Sequence, residues 1–399
     1  MADSTRPYDV VLFGATGFTG GLTADYLAAN APAGLRWALA GRNEHKLAAV
    51  RDHLVAANPA NPALADLPLL VADAADADAL AEVVATTKVV ATTVGPYVEF
   101  GGPLVAACAN AGTDYVDLTG EPEFVDRTYV EHNAAAEGSG ARLVHSCGFD
   151  SIPHDLGAYF TIKELAKEVG GEITTPVTMR GVVRAGAGFS GGTFHSALTA
   201  FSRARQMKEA STARRRLEPR PEGRRSRAVA GRPRRDHDLG YWLLPLPTID
   251  PFVVARSGAH LPAYGPAFSY SHFAGTKTLR YAAGGAAGVT GLTLAAQVPP
   301  LRNALLKRVP QGEGPSPSRR EKSWFTVDFV AETAGAKVRT RVSGGDPGYT
   351  ETAKMLAESA LCLALDENPN VAGQVTTATA MGDALLVRLQ RAGIAFERR

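Results

Sequence analysis

Cysteine is scarce in this chain of 399 residues. Cys108, Cys147 and Cys362 lie far apart and form no C-x-x-C pair. This spacing excludes a four-thiolate zinc site and a disulfide framework, and it is typical of a reducing compartment. The first residues, MADSTRPYD, also lack the basic stretch and apolar core of a secretory signal. We therefore expect a cytoplasmic protein, and we predict no metal site.

Long hydrophobic runs are almost as rare. The segment 281–301 carries no charge and is long enough to span a membrane. Four glycines, two threonines, a glutamine and the Pro299-Pro300 pair dilute its hydrophobicity. We expect a buried or interfacial element, with peripheral membrane contact and a true span as the alternatives.

Negative charge is scarce in one region, although the formal net charge is only +2. The range 203–235 holds thirteen Lys or Arg against three Glu, with Pro, Gly and Ser breaks. We interpret it as a solvated basic loop. The alternative is a docking surface for an acidic carrier domain, a coenzyme A phosphate or anionic lipid. The absence of aromatic residues argues against nucleic-acid binding.

The chain does contain a regular alternation of short apolar runs and longer amphipathic runs from Tyr8 to Ser146. Because parallel strands require crossover helices, this alternation predicts an α/β fold with a Rossmann doubly wound parallel sheet. After about Ser151 the alternation is lost, and mixed strands and helices predict an inserted α+β domain. The predicted divisions are a Rossmann domain at 1–152, a substrate domain at 153–345, and a C-terminal helix segment at 346–399 that returns to the Rossmann domain.

The stretch VVLFGATGFTGGL places three glycines immediately after the first predicted strand. In such a turn, glycine allows tight reversal, close approach of a pyrophosphate and packing of the next helix. The helix N-terminus then attracts phosphate. We predict that the cofactor-binding turn comprises Gly14, Ala15, Thr16, Gly17, Phe18, Thr19 and Gly20.

The end of the second strand indicates which dinucleotide binds. An NAD site has Asp or Glu there, whereas this chain has Gly41 and Arg42. Because a guanidinium binds a 2′-phosphate that a carboxylate would repel, we predict NADPH with Arg42 at the 2′-phosphate. Further cofactor contacts are expected where the third and fourth strands end, at Asp73, Thr93, Gly95 and Pro96.

Several longer motifs resemble the saccharopine dehydrogenase-like oxidoreductases, and within them the trans-acting enoyl reductases of complex polyketide lipid assembly. These motifs are GATGFTG, AGR, VGPYVEFGGPLVAACANAGTDYVDLTGEP, CGFDSIPHDLG, SGGT and GDPGYTETAKMLAESALCLA. The resemblance implies a nicotinamide near VGPY and CGFDSIP, with Tyr97, Cys147 and Gly148 beside it. It also implies a substrate cleft contacted by Phe149, Asp150, Ser151, Ser190, Gly191, Gly192 and Thr193.

The implied reaction is NADPH-dependent reduction of the carbon–carbon double bond of an unsaturated acyl or polyketide-derived substrate. It needs a donor for the enolate oxygen and a proton for the α-carbon. Candidate donors are the Tyr97 hydroxyl, Ser151 and the N–H groups at the Pro153 helix start, and candidate acids are Asp150 and His154. The structural alternatives are that Tyr97 walls the pocket, Asp150 caps the helix and His154 lies on the surface.

Three further interpretations stay open. Tyr159 and Lys163 form the Y-x-x-x-K spacing of short-chain dehydrogenases, with Ser146 upstream, although the segment is typical of an ordinary amphipathic helix. An imine or carbonyl reductase and a non-catalytic, lipid-associated nucleotide-binding protein are the alternative functions. We also expect a carrier-bound or CoA-bound substrate, no nucleic acid, and a homo-oligomer.

Overall fold

The structure is a computed structural model that describes residues 6–186, 198–199, 202–308 and 314–399. A parallel sheet of seven strands forms its first layer. Six strands come from the N-terminal part and one from near the C-terminus: β1 (Tyr8–Phe13), β2 (Trp37–Gly41), β3 (Leu69–Val71), β4 (Thr87–Thr92), β5 (Asp114–Val116), β6 (Arg142–Val144) and β14 (Gly373–Val375). Their order, β14-β6-β5-β4-β1-β2-β3, confirms the predicted Rossmann sheet.

Helices follow these strands, as crossover connections between parallel neighbours require. Asn43 caps the second helix through the Lys46 N–H, and Asp76 caps the third. Gly112 and Gly140 end the fifth and sixth helices with positive φ. The helices are α1 (Phe18–Asn30), α2 (Glu44–Ala57), α3 (Ala77–Ala85), α4 (Tyr97–Phe100), α5 (Gly102–Ala111) and α6 (Pro122–Ser139), with a short 3₁₀ turn at Pro62–Asp66.

A second, mixed sheet of eight strands forms the other layer. Its central strands pair in both senses, because β11 runs parallel to β7 while β12 runs antiparallel to it. The strands are β7 (Val177–Ala185), β8 (Arg225–Ala228), β9 (Arg234–Arg235), β10 (Trp242–Pro245), β11 (Ala267–Thr276), β12 (Phe325–Thr333), β13 (Ala336–Gly344) and β15 (Ala395–Arg398). Their order is β15-β13-β12-β7-β11-β10-β9, with β8 paired to β11. This is the α+β architecture expected after the Rossmann sheet.

One helix connects the two sheets. Helix α7 (Ile152–Glu168) begins just after β6 and packs against β12 and β13. Gly157 faces the Phe329 ring so closely that a Cβ atom would overlap it. Pro153 is the second residue of α7, where its missing N–H costs nothing.

The C-terminal segment contributes to both sheets. Helix α13 (Thr350–Leu365) packs against α1, β1 and β4 of the Rossmann layer, and β14 extends that sheet beside β6. After α14 (Thr377–Ala380) and α15 (Gly382–Arg391), strand β15 instead pairs with β13 of the second sheet. The sequence predicted the return to the Rossmann layer and not this last strand.

The interpretation of 203–235 as a solvated loop is wrong. Its first half forms helix α8 (Ala204–Leu217), and its second half contains β8 and β9. The side chain of Arg214 is buried, 2.5 Å from Asp126 of α6 and paired with Glu218. Arg203 pairs with Glu123 at 2.6 Å. Acidic partners far away in the sequence neutralise these cations, so the segment folds.

The uncharged segment 281–301 is helical, within α10 (Leu279–Ala296) and the start of α11 (Pro299–Arg308). It is not part of the core, because Tyr281 and Leu294 are 64% and 65% exposed. In the described part of the chain, no helix is both long and apolar enough to cross a membrane. The remaining helices are α9 (Asp250–His260), α12 (Pro317–Glu321) and a 3₁₀ turn at Pro262–Tyr264.

Candidate active site

Four loops meet at the carboxyl edge of the parallel sheet, after β1, β4, β5 and β6. Strands β1 and β4 are neighbours in the middle of the sheet, where the strand order reverses. A crevice opens there, and open α/β sheets bind their ligands in it. The predicted glycine turn, the Thr93–Tyr97 loop and the Cys147–Ser151 loop all border this crevice.

The glycine turn has the shape that a pyrophosphate requires. Gly14 has a φ of 90°, and its N–H donates to the Ala40 carbonyl at 2.8 Å. A Cβ atom on Gly20 would overlap the Gly14 carbonyl, so only glycine lets α1 pack directly on the turn. Thr16 and Gly17 are exposed at the edge. The first N–H groups of α1 have no intrahelical partner and remain available for phosphate.

The remaining residues of this turn connect it to its surroundings. Ala15 is fully buried beneath the turn. The Phe18 ring meets Tyr349 edge-on, with 5.0 Å between centroids, and the Arg320 guanidinium lies over it at 5.5 Å. The Thr93 hydroxyl donates to the Gly14 carbonyl at 3.1 Å, which ties the loops after β1 and β4 together.

Arg42 fits a 2′-phosphate. It directly follows β2, is exposed, and makes no ion pair or hydrogen bond with the residues that the structure describes. Its guanidinium is therefore free to bind an anion at this end of the crevice. Asp73 is exposed after β3, where its carboxylate accepts from the Ala75 N–H at 2.9 Å. Its contact with the adenine stays a prediction.

The Tyr97 hydroxyl does not face a substrate. It donates to the Thr92 carbonyl at 3.1 Å and accepts from the Leu118 N–H at 3.2 Å. The side chain is buried, and this burial raises the pKa of Tyr97 well above its ordinary value. Because the hydroxyl proton is already donated to the Thr92 carbonyl, the structure contradicts the prediction that the Tyr97 hydroxyl is catalytic. It agrees with the alternative that the ring is a structural part of the pocket wall.

Asp117 organises the loops after β5 and β6. One carboxylate oxygen accepts from the Thr119 and Ser146 N–H groups at 3.0 Å and 2.9 Å. The other accepts from the Tyr115 hydroxyl at 3.0 Å and lies 2.7 Å from His145 Nδ1. This buried carboxylate holds the Cys147–Ser151 loop in place.

The start of that loop is tightly packed. Cys147 is buried, which raises the pKa of its thiol well above the ordinary value, so the side chain is not a nucleophile. A Cβ atom on Gly148 would lie 2.7 Å from Leu118 and 3.0 Å from Thr352. Phe149 packs edge-on to Phe325 and His154, with centroids 5.0 Å and 5.2 Å apart. An apolar wall therefore lies between the two layers.

Asp150 is the acid that this site offers. Its carboxyl is half-buried and makes no hydrogen bond with any described residue. Burial, and then the negative charge of Asp250, raises the pKa of Asp150 to about 8. Asp150 does not cap α7, because the N-cap residue is Ser151. The group therefore carries a proton at neutral pH.

Backbone N–H groups at the start of α7 cannot stabilise an oxyanion here. Those of Ser151, Ile152 and His154 donate to the carbonyls of Ser146, Gly148 and Ser151 at 2.6–3.0 Å. This corrects the expectation that they face the substrate. The buried Ser151 hydroxyl, in contrast, has no partner among the described residues.

His154 is neither a surface residue nor an acid. It is 1% exposed, and burial lowers its pKa to about 3, so the imidazole is neutral at physiological pH. Its Nε2 lies 3.7 Å from Asp250 Oδ2, and His272 Nε2 lies 3.6 Å from the same oxygen. Burial also lowers the pKa of His272 to about 3. Asp250 and His272 were not predicted, since no sequence motif connects residues so far apart.

The comparisons with known proteins identify the family. The family described as "Saccharopine dehydrogenase NADP binding domain" matches residues 10–144. A trans-acting enoyl reductase of Mycobacterium tuberculosis H37Rv is 37% identical over 426 residues, covering 99% of this chain and 98% of the relative. A trans-acting enoyl reductase of Mycobacterium ulcerans is 36% identical over 425 residues, with the same coverage. This chain belongs to the saccharopine dehydrogenase-like oxidoreductases, in the trans-acting enoyl reductase group.

The solved structures agree about the fold of this oxidoreductase. Saccharopine dehydrogenase (L-Glu forming) from Saccharomyces cerevisiae superposes with a TM-score of 0.54, covering 98% of this chain and 99% of that one. At 15% identity this likeness concerns architecture alone. Together with the NADP-binding family match, the glycine turn and the free Arg42 make NADPH the cofactor of this reductase.

The structure leaves one part of the expected site untested, and it argues against the short-chain dehydrogenase alternative. Ser190, Gly191, Gly192 and Thr193 of the SGGT motif lie outside the described residues. Tyr159 lies about two turns along α7 from the cleft, where the Lys163 ammonium sits 5.6 Å over its ring and pairs with Asp383. Burial raises the pKa of Tyr159 to about 12. The Ser146 hydroxyl is committed to the Thr119 carbonyl at 2.7 Å, so these side chains do not form a short-chain dehydrogenase site.

Proposed function

We propose that this NADPH-dependent oxidoreductase reduces the carbon–carbon double bond of an unsaturated acyl thioester. Relatives spanning nearly the whole chain are named trans-acting enoyl reductases. The structural observation that carries the proposal is Asp150, a carboxyl with a raised pKa and no partner among the described residues, beside the cofactor crevice. Reduction of an enoyl group requires such a proton donor.

The chemistry divides between the cofactor and two side chains of the chain. When bound, NADPH supplies a hydride for the β-carbon of the substrate. The Ser151 hydroxyl donates a hydrogen bond to the thioester oxygen as negative charge develops there. Asp150 transfers its proton to the α-carbon and regains one from solvent. Phe149 and Phe325 contribute an apolar wall that suits an acyl chain.

We also propose that the substrate arrives bound to an acidic carrier domain. Helix α8 exposes Arg205, Lys208, Arg215 and Arg216. It packs on α6, which begins directly after the loop of β5. The basic surface therefore borders the crevice, where it can hold an anionic carrier while its acyl chain enters.

A third part of the proposal concerns α10 and α11, which we propose contact an anionic membrane surface. Exposed apolar side chains include Leu279, Tyr281, Leu294 and Leu301. The sequence contains no Asp or Glu between Asp250 and Glu313, while Lys277, Arg280, Arg302 and Lys307 occur there. Apolar surface combined with exclusively positive charge is typical of peripheral contact with anionic lipid.

A single assay tests the reaction. Oxidation of NADPH is followed with enoyl thioesters, cyclic imines and ketones, and mass spectrometry identifies the products. The proposal expects a saturated thioester from the enoyl substrate and no turnover of the others. Turnover of an imine or a ketone alone would instead support an imine or carbonyl reductase. NADPH binding without any turnover would support the non-catalytic alternative.

A further inference from the structure

Three buried side chains from three elements meet behind the candidate active site. His154 comes from α7, Asp250 is the first residue of α9, and His272 comes from β11. They are 1%, 1% and 4% exposed. Their chemistry, two imidazoles and one carboxylate, is unusual for a core position unless the groups have partners.

The separations are too long for hydrogen bonds but suit a shared ion. Asp250 Oδ2 lies 3.7 Å from His154 Nε2 and 3.6 Å from His272 Nε2, and the ligand atoms all lie within 4.8 Å of one another. Around a tetrahedral metal with bonds of about 2.1 Å, ligand atoms stand about 3.4 Å apart. The two distances to Asp250 are close to this spacing, so small side-chain shifts would bring the three groups around one metal ion.

Each of the three residues has one buried polar atom without a partner in the described part of the chain. Asp250 Oδ1, His154 Nδ1 and His272 Nε2 have no hydrogen-bond partner among the described residues. Leaving such buried atoms unsatisfied is costly, and an ion bound by His272 Nε2 would relieve one of these penalties directly. The Tyr270 hydroxyl lies 3.1 Å from His272 Nδ1. If the Tyr270 hydroxyl accepts a hydrogen bond from Nδ1–H of His272, the lone pair of Nε2 faces Asp250. Metal-binding histidines commonly have such a hydrogen bond on the ring nitrogen that does not bind the metal.

We propose that His154, Asp250 and His272 bind one divalent transition-metal ion of the zinc class. Two imidazoles and a carboxylate form a ligand set used for Zn²⁺ and for Fe²⁺. Three protein ligands leave one coordination position open, as in catalytic rather than structural zinc sites. A cation on Asp250 would reverse the smaller cause of the raised pKa of Asp150 and so lower that pKa, whereas burial, the larger cause, would remain.

The test measures metal directly and needs no turnover. The full chain, purified without a histidine tag and treated with a chelator, is dialysed against Zn²⁺, Fe²⁺ under anaerobic conditions, or Co²⁺. Bound metal is measured by plasma mass spectrometry. We expect one equivalent of Zn²⁺ or Fe²⁺ per chain, a higher melting temperature, and the absorption bands of four- or five-coordinate Co²⁺.

Two variants and one matched control complete the experiment. Asp250→Asn and His272→Gln should each abolish stoichiometric metal binding while still binding NADPH, which shows that they fold. His260→Gln changes an exposed histidine of the same helix, α9, and should bind metal like the wild type. A wild-type protein that takes up no stoichiometric metal would overturn the proposal, as would full binding by both folded cluster variants.

Discussion

Asp150 carries the proposed chemistry, and its protonation predicts a pH dependence. Only the protonated carboxyl donates, so kcat/KM of the metal-free protein for an enoyl thioester should fall as the pH rises through about 8. The neighbouring charge that acts on it is Asp250, and His154 and His272 lie beside Asp250. Both imidazoles have pKa values lowered to about 3 and do not titrate in this range. A pH profile of kcat/KM measures this limb.

Replacing the acid separates its catalytic role from a structural one. Asp150→Asn should lower kcat by about 10²- to 10⁴-fold and remove the limb near pH 8. NADPH affinity, followed by cofactor fluorescence, should stay unchanged. A variant that keeps the same alkaline limb would show that another group supplies the proton.

Arg42 predicts cofactor preference. Removing a charge-assisted contact with the 2′-phosphate in Arg42→Ala should raise the KM for NADPH by roughly tenfold to a hundredfold. NADH lacks this phosphate and serves as the internal control, so its kcat/KM should change little. An unchanged KM for NADPH would place the 2′-phosphate elsewhere.

Residue patterns predicted the local geometry of the glycine turn better than the surroundings of the proposed catalytic groups. Gly14, Gly20 and Arg42 act through local geometry that a strand-turn-helix motif encodes. The Tyr97 hydroxyl, in contrast, is hydrogen-bonded to the Thr92 carbonyl and the Leu118 N–H. Only the folded structure shows that these groups occupy the hydroxyl. Asp250 and His272 lie about a hundred residues beyond the predicted motif, so only the second sheet brings them to His154.

At the scale of elements, α8 shows why the composition of 203–235 led to the wrong prediction of a solvated loop. A run rich in arginine and broken by proline and glycine suggests solvated loop. Two of its cations, Arg203 and Arg214, instead pair with Glu123 and Asp126 on one face of α6. Pairing removes the repulsion that would otherwise oppose a helix. Sequence alone does not reveal this complementarity between distant segments.

The exposed cations of α8 predict a salt-dependent substrate preference. The double variant Arg215→Ala/Arg216→Ala should raise the KM for a carrier-bound enoyl substrate several-fold at low salt and leave kcat unchanged. High salt should remove the difference, since the screening length falls from about 10 Å at 0.1 M to about 3 Å at 1 M. Initial rates at both salt concentrations measure the effect.

Two controls accompany this prediction. A neutral N-acetylcysteamine thioester carries no carrier, so both enzymes should reduce it equally. Arg391→Ala removes an exposed cation from α15 and should behave like the wild type. Equal losses with carrier-bound and small substrates would mean that α8 supports the fold and not docking.

At the scale of the whole molecule, α7 and the C-terminal segment join the two sheets into one site. Helix α7 starts at the cofactor edge and packs under the second sheet, so the loop that carries Asp150 lies between them. The alternation of apolar and amphipathic runs predicted the Rossmann layer, and the mixed strands and helices after about Ser151 predicted the second layer. The pairing of β15 with β13 was not predictable, because a four-residue edge strand has too few residues to show a pattern.

The exposed helices α10 and α11 give a prediction about the whole molecule. In flotation assays the protein should bind vesicles of phosphatidylcholine and phosphatidylglycerol more strongly than vesicles of phosphatidylcholine alone, because the helices combine apolar surface with positive charge only. Leu294→Glu/Leu301→Glu places charge on two exposed apolar positions and should abolish this binding. Val387→Glu changes another exposed apolar residue, in α15, and should bind normally. Binding that survives in the double variant, or that ignores lipid charge, would assign these helices to a protein partner such as a second copy of the chain.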